Sequence, residues 1–355
     1  MVGQTQTDAT PAAKPLTDAI DEFVESRERA GGGRYAQEAE RVLEQWRDQL
    51  PYVQTVDDVS ERSMKRYCNY LSDRVEARVA NSETGVSGRT AHKYYSYVRA
   101  FLSYCVEWEY VTENPAKKAH VTDELPDKTL GQRDGETQTW SEHERRQLID
   151  YVDERAREAI ESDGLDAGGP ARDRALVYLL AFTAARGAEL VAESSDDRRT
   201  GITWADIDYG QRNIEVLGKS QEREALQLPE VTHSTLRQHY RIQSPASDDW
   251  PVFPTRHRPT LAQLADDETP PSITTESVRR ILKRLCEDGH IDVEGDHEYL
   301  KPHGARRGLG KLLYKQAGHE AAQKALRHED PETTSKMYAD IGAGEVAEIV
   351  DDVVD

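Results

Sequence analysis

The polar stretch 120–139 (HVTDELPDKTLGQRDGETQT) constrains this chain most. It holds few apolar residues and two glycines, the composition of a linker. On either side the apolar residues recur at helical spacing. A chain of 355 residues interrupted there reads as two domains of ordinary size, at 16–119 and 140–341. Residues 1–15 are polar and rich in Pro and Ala, and read as a disordered tail. Residues 342–355 (GAGEVAEIVDDVVD) form a short C-terminal segment whose apolar positions are nearly helical in spacing. It is too short to be stable alone and could pack on its own domain or on a neighbouring protomer.

The first domain is predicted to be all helical. Leu16, Ile20, Phe23 and Val24 share one face, and a GGG at 31–33 ends that helix. A second helix carries Val42, Leu43, Trp46 and Leu50. Ser60 is placed to cap a third, and a long fourth covers 87–110. Pro115 then forces Asn114 out of helical geometry and closes the domain.

The second domain opens at Trp140, where Ser141 and Glu144 have the spacing of a capping box. Two apolar helical runs at 171–193 are joined near Thr183–Gly187. Short strands follow at 201–229, with NIEVLG and EALQLP flanking a polar turn at Lys219–Glu222. The Pro- and Asp-rich stretch 242–272 reads as a long surface loop. Helices are predicted at 274–289, 303–318, 319–328 and 331–340. The fold class is mainly α with a small antiparallel β insert.

The formal charge is −20, and of 46 basic residues only 13 are lysine. Such a surface suits a cytosol at multimolar salt, where carboxylates stay hydrated and their repulsion is screened. Cys68, Cys105 and Cys286 form no CxxC pair, which excludes a zinc ribbon and a disulfide framework and leaves small buried hydrophobes. No apolar run approaches the roughly 18 residues of a membrane span, and no signal peptide is visible, so a cytoplasmic protein without a membrane partner is expected.

Against that acidity, the stretch KPHGARRGLGKLLYKQAG is an exception. His303 and Arg306 share one helical face, and Pro302 stands where it would open the helix. Arg307 and Lys311 add to a basic surface of the kind that binds phosphates. Arg186, in TAARGAEL, lies between two apolar runs and must be solvated, paired or waiting for an anion. Its bland alternative is an ion pair with Glu189 or another acid. Lys219 sits at a hairpin tip, where no core can hide it. LRHEDPETTSKMY brings His328 and Tyr338 together near the end of the chain. Each of these, alone, is more often an ordinary solvated or core side chain.

Together, Arg186, Lys219, His303, Arg306, His328 and Tyr338 resemble the active-site set of the tyrosine recombinases, the lambda integrase family. Over about 16–341 the chain is similar to that family, including the NP that closes its core-binding domain. The resemblance implies a helical SAM-like core-binding domain followed by a mixed α/β catalytic domain. It implies attack of the Tyr338 hydroxyl on a DNA phosphodiester, with neither metal, ATP nor another cofactor. Arg186 and Arg306 would hold the phosphate, His303 would act as general base, Lys219 as general acid, and His328 would bond a phosphate oxygen. It further implies double-stranded DNA attachment sites as partners and a homotetramer at work, with 342–355 exchanged between protomers. Candidate groove residues are Arg89, His92, Lys93 and Arg99 on the fourth helix, with Arg279, Arg280, Arg307 and Lys311 in the second domain. The alternatives are a type IB topoisomerase-like strand transferase and a catalytically silent DNA-binding regulator. The chain departs from the family pattern at Ala184-Ala185, where a Gly and a larger apolar residue are usual, and at Arg307, often a second His. Arg327 replaces a usual Gly, and Tyr338 stands one position late.

Overall fold

Leu16, Ala19, Ile20, Phe23 and Val24 are buried along one face of α1 (Leu16–Arg29), as their spacing requires. The structure, a computed structural model, describes residues 13–132, 137–218, 221–265, 268–328 and 330. Lys219, Tyr338, most of the 1–15 tail and the 342–355 segment lie outside these. The chain divides into two compact units, residues 1–136 and 137–355.

In the first unit α1 packs on α2 (Gly33–Asp48), and α4 (Gly88–Glu107) packs on α1, α2 and α3 (Glu61–Val79). Phe23, Trp46 and Phe101 meet edge to face at its centre. Ser60 and Ser87 cap α3 and α4 by accepting from the backbone N–H groups of Ser63 and Thr90. Asn114 does more than end the bundle. Its buried amide donates to Arg99 O and Ser103 Oγ, both at 2.9 Å, and its oxygen accepts from Ala116 N. The stretch expected as a linker is built into the fold over residues 120–132. It forms α5 (Ala119–Thr122) with Val121 buried, and it accepts bonds from His92 through Pro126 O and from Gly88 N through Leu130 O. Gly88 permits this, because a Cβ there would lie 1.9 Å from Asp127 O. Val121 and Leu125 pack on the core, and backbone hydrogen bonds that Gly88 leaves room for hold the rest of the segment down.

In the second unit the capping box at the start of α6 (Glu142–Asp163) is formed in both directions, with Ser141 N donating to Glu144 and Glu144 N to Ser141. α7 (Gly168–Phe182) is apolar on nearly all sides and lies at the centre, packed against α6, α9 (Glu230–Gln243) and α12 (Pro302–Leu326). The second apolar run is not a helix of any length. It is one turn, α8 (Gly187–Leu190), followed by β1 (Val191–Glu193). β1 pairs antiparallel with β2 (Asp196–Gly201), whose sequence DDRRTG carries no strand pattern because it is half exposed. β3 (Ile207–Asp208), β4 (Asn213–Leu217) and β5 (Arg223–Gln227) form a three-stranded antiparallel sheet. α9 was not expected, since its buried face includes Thr232, His233, Thr235 and His239. The stretch 242–272 is not simply a surface loop. Val252 and Phe253 are fully buried, and α10 (Arg258–Leu261) lies within it. α11 (Thr275–Asp288) precedes α12, and the two helices expected at 303–328 run through a break at Gly318, where φ is 81°.

Candidate active site

The site begins where α7 stops. Thr183 Oγ1 bonds back to Leu179 O at 2.6 Å, and Ala184 then takes a left-handed φ of 54° that turns the chain. Arg186 follows as the residue that starts α8. Its backbone N–H donates to Glu189 Oε2 at 2.8 Å and its Nη1 to Glu189 Oε1 at 2.6 Å. Glu189 has no exposed side-chain surface. Burial pushes its pKa up, but the Arg327 guanidinium and the bonds from Arg186 outweigh this and hold the carboxyl below the usual range. The ion pair expected as the bland alternative for Arg186 is therefore present.

The start of α12 is fixed by residues 138–140. Trp140 donates through Nε1 to Lys301 O at 2.9 Å and through its backbone N–H to Gly304 O at 3.1 Å, and Gln138 Nε2 donates to Tyr299 O at 2.9 Å. Gly308 lets the helix come this close, for a Cβ there would stand 2.3 Å from Trp140 O. His303 and Arg306 are thereby held at the helix's N-terminal end. Arg306 is 2% exposed and donates to two main-chain oxygens, Ala184 O through Nη1 and Leu326 O through Nη2. One guanidinium so ties together the segments carrying Arg186, His303 and His328, and beneath it Ala184, Ala322 and Leu326 form a small apolar cluster.

His303 keeps a solvent-exposed surface, yet partial burial and the charges of Arg307, Arg306 and Arg186 push its pKa down to about 4. Burial, Arg306 and Arg186 likewise lower that of half-buried His328. Both rings are neutral at pH 7, so either can accept a proton. The β4–β5 hairpin is held by Arg199 of β2, which donates to Leu217 O at 2.8 Å and to Gly218 O at 2.6 Å. Lys219 and Tyr338 lie outside the described residues. Arg186, His303, Arg306 and His328 are brought together, and no group able to hold a metal ion occurs among the described residues.

Arg89, Lys93 and Arg99 are exposed on α4, and Lys93 lies 3.8 Å from Glu38. His92 is half-buried and its Nε2 is engaged by Pro126 O at 2.8 Å. Arg279 pairs with Glu276 at 3.0 Å, Arg280 donates to Ser277 Oγ, and Arg307 donates to Gln138 O. Lys311 is half-buried on α12.

Glu224, Arg199 and the clamping role of Arg327 were not anticipated. Arg327 donates to Glu189 Oε2 at 2.6 Å and to Glu224 Oε2 at 2.7 Å. The only signal was the presence of an Arg where the family pattern has Gly.

A helical unit ahead of a mainly helical one, with arginines and histidines converging on the end of a central helix, is the layout of a tyrosine recombinase. Residues 140–344 match the phage integrase family, and residues 15–121 match the phage integrase SAM-like domain. The chain belongs to the phage integrase family, whose members are site-specific recombinases. It is 25% identical over 328 residues to tyrosine recombinase XerC of Corynebacterium glutamicum, a match that covers 91% of this chain and 87% of that protein. Its fold is similar to that of the Tn1549 transposon integrase in complex with transposon right end DNA, with 15% identity and a TM-score of 0.58 over 96% of this chain and 100% of that one. It is also similar to a lambda integrase dimer bound to a COC′ core site, with 16% identity and a TM-score of 0.55 over 93% and 78% of the two chains.

Proposed function

We propose that this recombinase cuts and rejoins double-stranded DNA at attachment sites through a 3′-phosphotyrosyl intermediate, as an integrase of a virus or mobile element. The observation that carries this is the Arg306 guanidinium, which draws the Arg186, His303 and His328 segments onto one point. The Tyr338 oxygen attacks phosphorus, the bond to the 5′ oxygen breaks, and the phosphoester energy is kept for religation. Arg186, partly exposed beside Glu189, offers planar donors to the non-bridging oxygens, and Arg306, whose Nη groups hold Ala184 O and Leu326 O, adds its positive charge beside them. Oriented cations of this kind are usually the largest catalytic contribution. A free tyrosine titrates near about 10 and needs a base. Neutral His303 takes the phenol proton, His328 bonds a phosphate oxygen, and Lys219 returns a proton to the 5′ oxygen. The complexes of its structural relatives, an integrase on transposon-end DNA and an integrase dimer on a core site, support DNA as partner. Strand exchange between two duplexes calls for four protomers, with 342–355 docking on a neighbour. A charge of −20 favours a halophilic host, and no helix among the described residues is long and apolar enough to cross a membrane, which fits work in the cytoplasm.

A suicide substrate tests this: a nicked duplex carrying a candidate attachment site, incubated in high salt with EDTA and run on a denaturing gel. Wild type should give a slow-migrating covalent adduct. Tyr338→Phe should give none while binding DNA within a few fold. An adduct that survives in Tyr338→Phe overturns the nucleophile, a strict metal requirement overturns the mechanism, and tight binding without an adduct points to a DNA-binding regulator.

A further inference from the structure

Arg327 occupies a costly backbone position. It terminates α12 at φ 51°, in the left-handed region where a glycine would sit without strain. Its side chain gives the reason. The guanidinium is largely buried between two carboxylates from different elements, Glu189 on α8 and Glu224 on β5. Glu189 is already engaged by Arg186, so Arg327 supplies the second positive charge against a fully buried carboxylate. That leaves more of the Arg186 charge for a phosphate. At its other end the guanidinium grips the hairpin. Glu224 faces Val216 across the β4–β5 ladder and lies over Gly218, where a Cβ would stand 1.9 Å from Glu224 Oε1. Gly218 directly precedes Lys219 in the chain. Arg199 holds the β4 side of the same neck through Leu217 O and Gly218 O. The residue after Arg327 is His328, so one side chain links the Arg186–Glu189 pair, the His328 segment and the hairpin.

We propose that Arg327 is a positioning residue for DNA cleavage: clamped between Glu189 and Glu224, it fixes the neck of the β4–β5 hairpin against the Arg186–Glu189 pair and so sets where Lys219 delivers its proton. This rests on Lys219 acting as general acid toward the 5′ oxygen. It gives the chain a means of holding the hairpin neck in place by paired, largely dehydrated charges, which salt screens less than exposed ones.

The test uses full-length protein and two suicide substrates, one ordinary and one with sulfur in place of the leaving 5′ oxygen. When the phosphorus–sulfur bond breaks the thiolate departes without a proton, so the step needs no general acid. Arg327→Gly removes the clamp and relieves the backbone, so folding is not at risk from strain. Its adduct formation on the ordinary substrate should slow by about 10²-fold, the scale of a misplaced catalytic group. On the sulfur substrate it should lie within about threefold of wild type. Glu224→Gln should slow the ordinary substrate in the same way, and the double variant should be no slower than Arg327→Gly alone, since both break one link. Equal slowing on both substrates, or no slowing on either, overturns the positioning role. Lys219→Ala serves as reference: if wild type forms adduct but sulfur does not rescue Lys219→Ala, the general-acid reading fails and this inference falls with it. If wild type forms no adduct on either substrate, the phosphotyrosyl reading itself is overturned.

Discussion

Arg306 donates to the main-chain oxygen of Ala184, a residue 122 positions earlier that is held at φ 54°. The left-handed turn matters because it presents that oxygen to the guanidinium and reverses the chain before Arg186. Both residues are buried, so this bond is shielded from competing water.

Side-chain size at Ala184 is therefore expected to be limited by backbone conformation. Ala184→Gly relieves left-handed strain of about 1–2 kcal/mol but loses a buried methyl and adds backbone freedom, for a net change within about 1 kcal/mol. Ala184→Val places a β-branched residue at positive φ in a packed cluster and should cost about 2–4 kcal/mol. Urea unfolding of the two variants checks this; equal stability would show that the turn is not required.

Glu189→Gln leaves the Arg186 and Arg327 guanidiniums facing a neutral amide. Removing one partner of a buried charge network typically costs about 3–5 kcal/mol. The urea midpoint should fall accordingly and adduct formation with it. A variant as stable as wild type would mean that the two arginines find other partners.

The pH dependence follows from the two shifted groups. His303 must be neutral to act as a base, and its folded pKa is about 4 rather than 6.5. Cleavage should therefore hold steady as pH falls through 6.5 and decline only toward about 4. Glu189 is lowered from 4.5, so the stability it contributes is fully present above 4.5 and is lost as pH falls below. The two effects converge on one acid limb. Single-turnover rates with an inflection near 6.5 would instead mark His303 as an ordinary exposed histidine or as no base at all.

The net charge of −20 predicts a salt response. Raising KCl from about 0.2 M to about 2 M screens the surface carboxylates, and the melting temperature should rise by several degrees. Covalent adduct should still form at the upper concentration. A flat melting response would remove the halophilic interpretation.

Local pattern determined much of this protein. The faces of α1 and α2, the caps at Ser60 and Ser141, and the proline opening α12 depend on residues within four positions of one another. Spacing along the chain suffices to read them. The candidate site was read for a different reason: Arg186, His303, Arg306 and His328 are residue types that phosphate chemistry demands, in the order that the family resemblance gives. What tertiary structure alone decided came from contacts across long separations. Residues 120–132 lie on α3 and α4 because Gly88 leaves room for Asp127 O. α9 turns a face containing histidines and threonines inward, which no hydrophobic period reveals. Arg327 joins Glu224, 103 positions away, and Glu189, 138 positions away. An ion pair is specified by where two backbones meet and by how little water remains between them, and neither quantity is written in the neighbours of either residue.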